Sequence, residues 1–162
     1  MTLDLLRQTT DPFSRHQFTP GHVTCTALVL HPKELKVLFM YHHRLHRWLL
    51  PGGHVEESDA SLAAAAAREA GEETLVQIDG GRAALLAGID VHGIPGKKDE
   101  PFHLHHDLIW CFRALVEEIA TTDEAPSVVW AEDADWDQLN VANSIRNSIR
   151  RLKKPALPAI GL

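Results

Sequence analysis

Cysteine is nearly absent from this 162-residue chain, and so are methionine and tyrosine: two Cys, two Met and one Tyr. Cys25 and Cys111 each sit inside an apolar run, so a disulfide framework is excluded and a reduced, cytoplasmic setting is expected. No apolar stretch approaches the roughly 20 residues needed to span a bilayer. The opening segment, MTLDLLRQTTDPF, has neither the basic patch nor the apolar core of a signal peptide. Positive charge is also in deficit, with 16 Lys and Arg against 22 Asp and Glu, a net −6. That excludes a generally basic nucleic-acid binder and leaves no case for an anionic membrane as partner. No repeat and no linker interrupts the chain, so one domain over residues 1–162 is expected. A domain of this size buries roughly 70% of its unfolded-chain surface and needs no staple to fold.

What the chain does have is an ordinary globular balance, 44% apolar and 23% charged, and an excess of histidine, 11 in all. Two β-rich runs, His22–Leu30 and Lys36–Tyr41, flank a polar turn at 31–34. Pro51-Gly52-Gly53 breaks the pattern. A helix is expected from about Ser61 to Thr74, capped by Asp59 or Ser61. Strands follow at Ala83–Val91 and Phe102–Leu115, around a loop carrying Lys97 and Lys98, and a short one at Ser127–Trp130. Apolar Val141, Ile145, Ile149 and Leu152 recur at helical spacing and predict a closing helix over Val141–Lys153. Strands that come both consecutively and around helices imply an α/β fold, a mixed sheet with helices on its faces.

The stretch PGGHVEESDASLAAAAAREAGEETLV, 51–76, carries the most chemistry. At about 100° per residue, Glu69, Glu72 and Glu73 fall at roughly 0°, −60° and +40° on the helix, one sector of like charge. Such a stripe destabilises a bare helix, and a hard divalent cation would relieve it. Ala60, Ala63, Ala67 and Ala70 form the opposite stripe expected to pack on a sheet. The alternative is a solvated acidic face. The preceding glycines favour the metal, because they leave backbone groups free to approach an ion or a phosphate.

This segment resembles the Nudix box of the MutT-like pyrophosphohydrolases: a glycine, five residues, an acid, then Arg-Glu, two residues and Glu-Glu. Gly53, Arg68, Glu69, Glu72 and Glu73 fall on that pattern, within a box of about 52–76. Asp59 stands at the acidic position, one residue further from Arg68 than usual, and Leu75 stands where the family has the glycine that ends the helix. The resemblance implies a Nudix-type α/β/α sandwich with a mixed β-sheet. It implies Mg²⁺ or Mn²⁺ held by Glu69, Glu72, Glu73 and a carbonyl of Gly52, with Arg68 orienting a glutamate. Glu124, six residues before Trp130, is the candidate for an added ligand or general base. The implied activity is metal-dependent pyrophosphohydrolysis of a nucleoside diphosphate linked to a second moiety X. The family also admits a homodimer.

In FHLHHDLIW, 102–110, alternation places His103, His105 and Asp107 on one side of a strand and Leu104, Leu108 and Trp110 on the other. A second resemblance is to the extra metal site of isopentenyl diphosphate isomerase, which implies His22, His54, His105 and Asp107 as ligands for Zn²⁺, Mn²⁺ or Fe²⁺. The isomerase's catalytic cysteine position is Gly52 here. His103, Lys97 and Lys98 are weaker candidates for touching substrate phosphate. Two alternatives to the hydrolase therefore stand: an isomerase-like enzyme using the histidines, and a non-catalytic nucleotide sensor.

Overall fold

In a computed structural model, residues 1–43, 45–78 and 84–153 are described. The chain runs α1 (Thr2–Gln8), β1 (Gly21–Leu30), β2 (Val37–His42), β3 (Arg47–Leu49), β4 (Gly52–His54), α2 (Leu62–Thr74), β5 (Leu85–Ile94), β6 (His103–Arg113), β7 (Val128–Ala131), a 3₁₀ turn (Asp133–Asp135) and α3 (Asn143–Lys153). The expected strand from Ala83 starts at Leu85 among the described residues, since Ala83 itself lies outside them. One sheet holds all seven strands in the path β3-β2-β1-β6-β5, with β4 paired to β1 and β7 paired to β2. β1 and β6 run parallel along their whole length, from Gly21 beside Leu104 to Leu30 beside Arg113. The pairs β1–β2, β1–β4, β2–β3, β2–β7 and β5–β6 are antiparallel, which makes the sheet mixed.

Period-two alternation distributes the core between the two faces. Cys25, Ala27, Val29, Leu38 and Phe112 face α2 and meet Ala65, Ala66 and Ala70. Leu28, Val37, Phe39, Ile109 and Cys111 face the other way, against Trp136 and Val141 ahead of α3 and Ile149 within it. The result is the expected helix–sheet–helix sandwich. Among the described residues, no helix is long and apolar enough to cross a membrane.

Two features differ from the sequence reading. Pro51-Gly52-Gly53 does not simply break the chain: Gly52 and Gly53 sit in β4, opposite Thr26 and Cys25 of β1. The alanines that pack on the sheet are also not opposite the glutamates. Ala60 precedes α2, Ala63 and Ala67 pack partly buried against the core, and the fully buried side is Ala65, Ala66 and Ala70 together with Glu73. Glu69 and Glu73 lie over the sheet side at the helix's last turns, where β4 contributes glycines and leaves room for carboxylates.

Candidate active site and metal centre

The helix that carries the glutamates is fixed at both ends. Ser61 caps it, accepting from the Ala64 amide at 3.1 Å. Asp59, the other cap candidate, instead receives the Arg68 guanidinium through Nε and Nη2, both at 3.0 Å. At the far end the helix stops after Thr74. Leu75 takes the left-handed conformation (φ 53°, ψ 18°), and its amide donates to Gly71 O at 3.0 Å. Leucine thus adopts the geometry that glycine supplies more cheaply, so the missing box glycine does not lengthen the helix.

Arg68 organises the carboxylates. Besides Asp59 it donates to Glu69 Oε1 and Glu72 Oε2, each at 3.0 Å, and to the His54 carbonyl at 3.0 Å. Glu69 reaches back to β4, where a Cβ on Gly53 would lie 2.6 Å from its carboxyl carbon. Glu73 accepts from the Gly52 amide at 2.9 Å. Gly52 therefore meets Glu73 through its N–H. Burial pushes the Glu73 carboxyl up to about 7, against the lowering effect of the Gly52 amide; Glu69 and Glu124 raise it further. Burial raises Glu69 as well, with Arg68 opposing. Glu124 is exposed, on a loop tied to the end of α2 by Thr122 Oγ1 donating to Glu73 O (2.9 Å) and the Ala120 amide donating to Thr74 O (3.0 Å).

The oxygens of Glu69, Glu72 and Glu73 do not converge into one ligand set within 4.8 Å among the described residues. Arg68 holds the first two and Gly52 the third. Their chemistry nonetheless fits a hard divalent cation: oxygen donors only, two of them half-desolvated beside a strand whose glycines leave the approach open. Such an ion would lower the cost of burying Glu69 and Glu73 together.

The side chains that do converge are histidines. His22, His54 and His105 bring one donor atom each within 4.8 Å of one another. They come from β1, β4 and β6, and alternation puts them on the sheet face opposite α2: Gly53 points at Glu69, so His54 points away. His103 joins them, its Nε2 3.3 Å from His105 Nε2 and its ring stacked on His22 at 5.0 Å. It is buried, not displayed to substrate. Asp107 lies on the same face but outside the cluster; its two oxygens accept from Thr24 Oγ1 (3.1 Å) and Thr26 Oγ1 (2.7 Å). Those threonines were missed in the sequence, although their i, i+2 spacing after His22 marks the same strand face. Lys97 and Lys98 are exposed, and Lys97 Nζ lies 3.8 Å from Glu100 Oε2 within its own turn.

The NUDIX domain family model matches residues 21–154. The chain belongs to the Nudix family. Its fold is that of MutT-like Nudix hydrolases. Among solved structures, the NUDIX domain of Shewanella oneidensis NrtR complexed with ADP ribose superposes with TM-score 0.59 at 20% identity, covering 94% of this chain and 99% of that one. A Streptococcus suis ADP-ribose pyrophosphatase gives TM-score 0.59 at 16% identity, over 83% and 93%. A C. elegans Ap4A hydrolase gives 0.57 at 14%, over 80% and 93%. No match was found among the curated proteins.

Proposed function

We propose that this Nudix protein is a metal-dependent pyrophosphohydrolase that cleaves a nucleoside diphosphate linked to X. The supporting observation is the Arg68 hub, which holds Asp59, Glu69 and Glu72 at 3.0 Å while Gly53 leaves space for Glu69 alone. A Mg²⁺ or Mn²⁺ ion bound by Glu69, Glu72, Glu73 and a Gly52 carbonyl would neutralise the diphosphate and lower the pKa of a coordinated water. The chain's own residues do the rest. Arg68 fixes the direction of two carboxylates before substrate arrives, so no reorganisation is needed at the moment of reaction. Glu73, fixed by the Gly52 amide, would serve as a ligand, and the exposed Glu124 on the neighbouring loop is the candidate general base.

ADP-ribose is the first member of the class to try, because one structural neighbour binds it and another is a pyrophosphatase of it. The test is product release from ADP-ribose, nucleotide sugars, dinucleoside polyphosphates and nucleoside triphosphates with Mg²⁺ or Mn²⁺. Glu69→Gln and Glu72→Gln are run beside the unmodified protein. One substrate class is expected to be cleaved, with each variant at least about a hundredfold slower, equivalent to about 2.7 kcal/mol of transition-state stabilisation. Nucleotide binding without cleavage would replace the hydrolase with the sensor. The isomerase reading is disfavoured physically. It needs a thiol at Gly52, where even a Cβ would lie 2.5 Å from the Cys25 carbonyl oxygen.

A further inference from the structure

We propose that His22, His54 and His105 bind one borderline divalent ion, Zn²⁺ above all, on the sheet face opposite the glutamate helix. The inference is independent of the hydrolase reading. Its first support is the hydrogen bonding of the rings. His22 Nδ1 lies 3.1 Å from the Gln17 carbonyl and His103 Nδ1 lies 2.8 Å from the Pro101 carbonyl. A carbonyl only accepts, so both rings carry their proton on Nδ1 and turn a bare Nε2 lone pair inward. This is the arrangement in which an outer carbonyl orients a metal-ligating imidazole.

The second support is what the inner nitrogens meet. His22 is 1% exposed, and its Nε2 is buried with no hydrogen-bond partner. A hydrogen bond between His103 and His105 accounts for one pair of nitrogens and leaves that lone pair with nothing. A cation held between His22, His54 and His105 gives it a partner. The donor atoms of His22, His54 and His105 lie within 4.8 Å of one another, close enough for one ion to reach all three.

The third support is donor chemistry. Thr24 and Thr26 occupy Asp107, so the converging set is all imidazole nitrogen. Nitrogen donors select Zn²⁺ and its later transition-metal neighbours over Mg²⁺ and Mn²⁺, which prefer oxygen. The two metal centres would thus sort their ions by ligand type. A filled site ties β1, β4 and β6 together. Because His54 follows Gly53 directly and its carbonyl accepts from Arg68, the ion would brace the backbone against which the glutamates rest.

The experiment strips the protein with a chelator and titrates it with Zn²⁺ and Co²⁺ in millimolar Mg²⁺. About one equivalent of Zn²⁺ should be retained by elemental analysis, with Co²⁺ giving the visible bands of a tetrahedral nitrogen site. At free Zn²⁺ about a hundredfold above Kd, Tm should rise by about 5–10 °C. His54→Asn and His105→Asn should each weaken Zn²⁺ binding at least about a hundredfold, and Glu69→Gln should leave it intact. Should both histidine variants fail to fold, histidine-labelled wild type decides: the His22, His54 and His105 ring signals shift with stoichiometric Zn²⁺. Folded protein that takes up no Zn²⁺, unmoved ring signals, or histidine variants binding as tightly as wild type would overturn the proposal. So would loss of the site in Glu69→Gln.

Discussion

Gly52 and Gly53 are neighbours on β4, yet adding one methyl to each should have opposite consequences. Neither has a positive φ, so what each needs is space and not backbone freedom. On Gly53 the new Cβ would lie 2.6 Å from Glu69 Cδ and 2.7 Å from both carboxylate oxygens. Ordinary contact begins at 3.4 Å, so the carboxylate must retreat by 3.4 − 2.6 = 0.8 Å. It sits at the end of a flexible side chain, and the fold can absorb that movement for under about 1 kcal/mol. A catalytic carboxylate cannot: displacement on the order of 1 Å costs about a hundredfold in rate. On Gly52 the Cβ would instead lie 2.5 Å from Cys25 O and 2.8 Å from Thr26 Cα, both backbone atoms of the paired strand. Relief there requires β4 to part from β1, an overpacking cost of about 1–3 kcal/mol or more. Thermal melts and initial rates on the cleaved substrate give the readout. Gly53→Ala should melt within about 2–4 °C of wild type and lose about a hundredfold in kcat. Gly52→Ala should lose several degrees more. Full activity in Gly53→Ala, or equal destabilisation by the two changes, would refute the assignment of Gly53 to Glu69 and of Gly52 to the strand pair.

Other outcomes follow from the same contacts. Arg68→Lys keeps the charge but not the fork that spans Asp59, Glu69, Glu72 and the His54 carbonyl; with Asp59 only 5% exposed, about 2–3 kcal/mol should be lost, seen as a lower denaturant midpoint together with slower turnover. Glu73 has a folded pKa of about 7 against 4.5, so between those values the folded protein holds a proton that the unfolded chain has released. Metal-free stability attributable to Glu73 therefore falls as pH rises through that window, by up to about 3 kcal/mol, and urea melts in chelator at pH 5 and pH 8 should show a smaller drop for Glu73→Gln. The histidines act with the opposite sign. His54 and His105 stand at about 4 and about 3 against 6.5, so the unfolded chain binds protons first and metal-free stability is lost as pH falls below 6.5; His54→Asn should weaken that acid sensitivity in the same melts.

How far the sequence could be read depended on whether the deciding contact was local. The α2 helix, its Ser61 cap and the glutamate spacing are written in consecutive residues, and so were legible. The short α1 helix was not expected; only Leu5 is buried on it, and what holds it includes Thr2 Oγ1 lying 3.0 Å from His106 Nδ1, a partner 104 positions away. The alanine stripe was legible only in part: Ala70 is buried and Ala63 and Ala67 pack against the same core, but the fully buried face is turned toward Ala65, Ala66 and Glu73. Helical angles give relative positions, but which sector faces the sheet is decided by β4, whose glycines accept carboxylates where another strand would demand apolar side chains. Asp107 shows the same limit: its spacing from His105 fits a ligand, and only the parallel pairing of β1 with β6 reveals two threonine hydroxyls waiting for it. Leu75 runs the other way. A missing glycine suggests an altered helix end, yet the chain keeps the left-handed geometry there with leucine, and the carbonyls of Glu73 and Thr74 just before it accept from Thr122 Oγ1 and the Ala120 amide. It is those two carbonyls, not position 75 itself, that hold the Glu124 loop at the end of α2, which ties the helix end to the proposed chemistry.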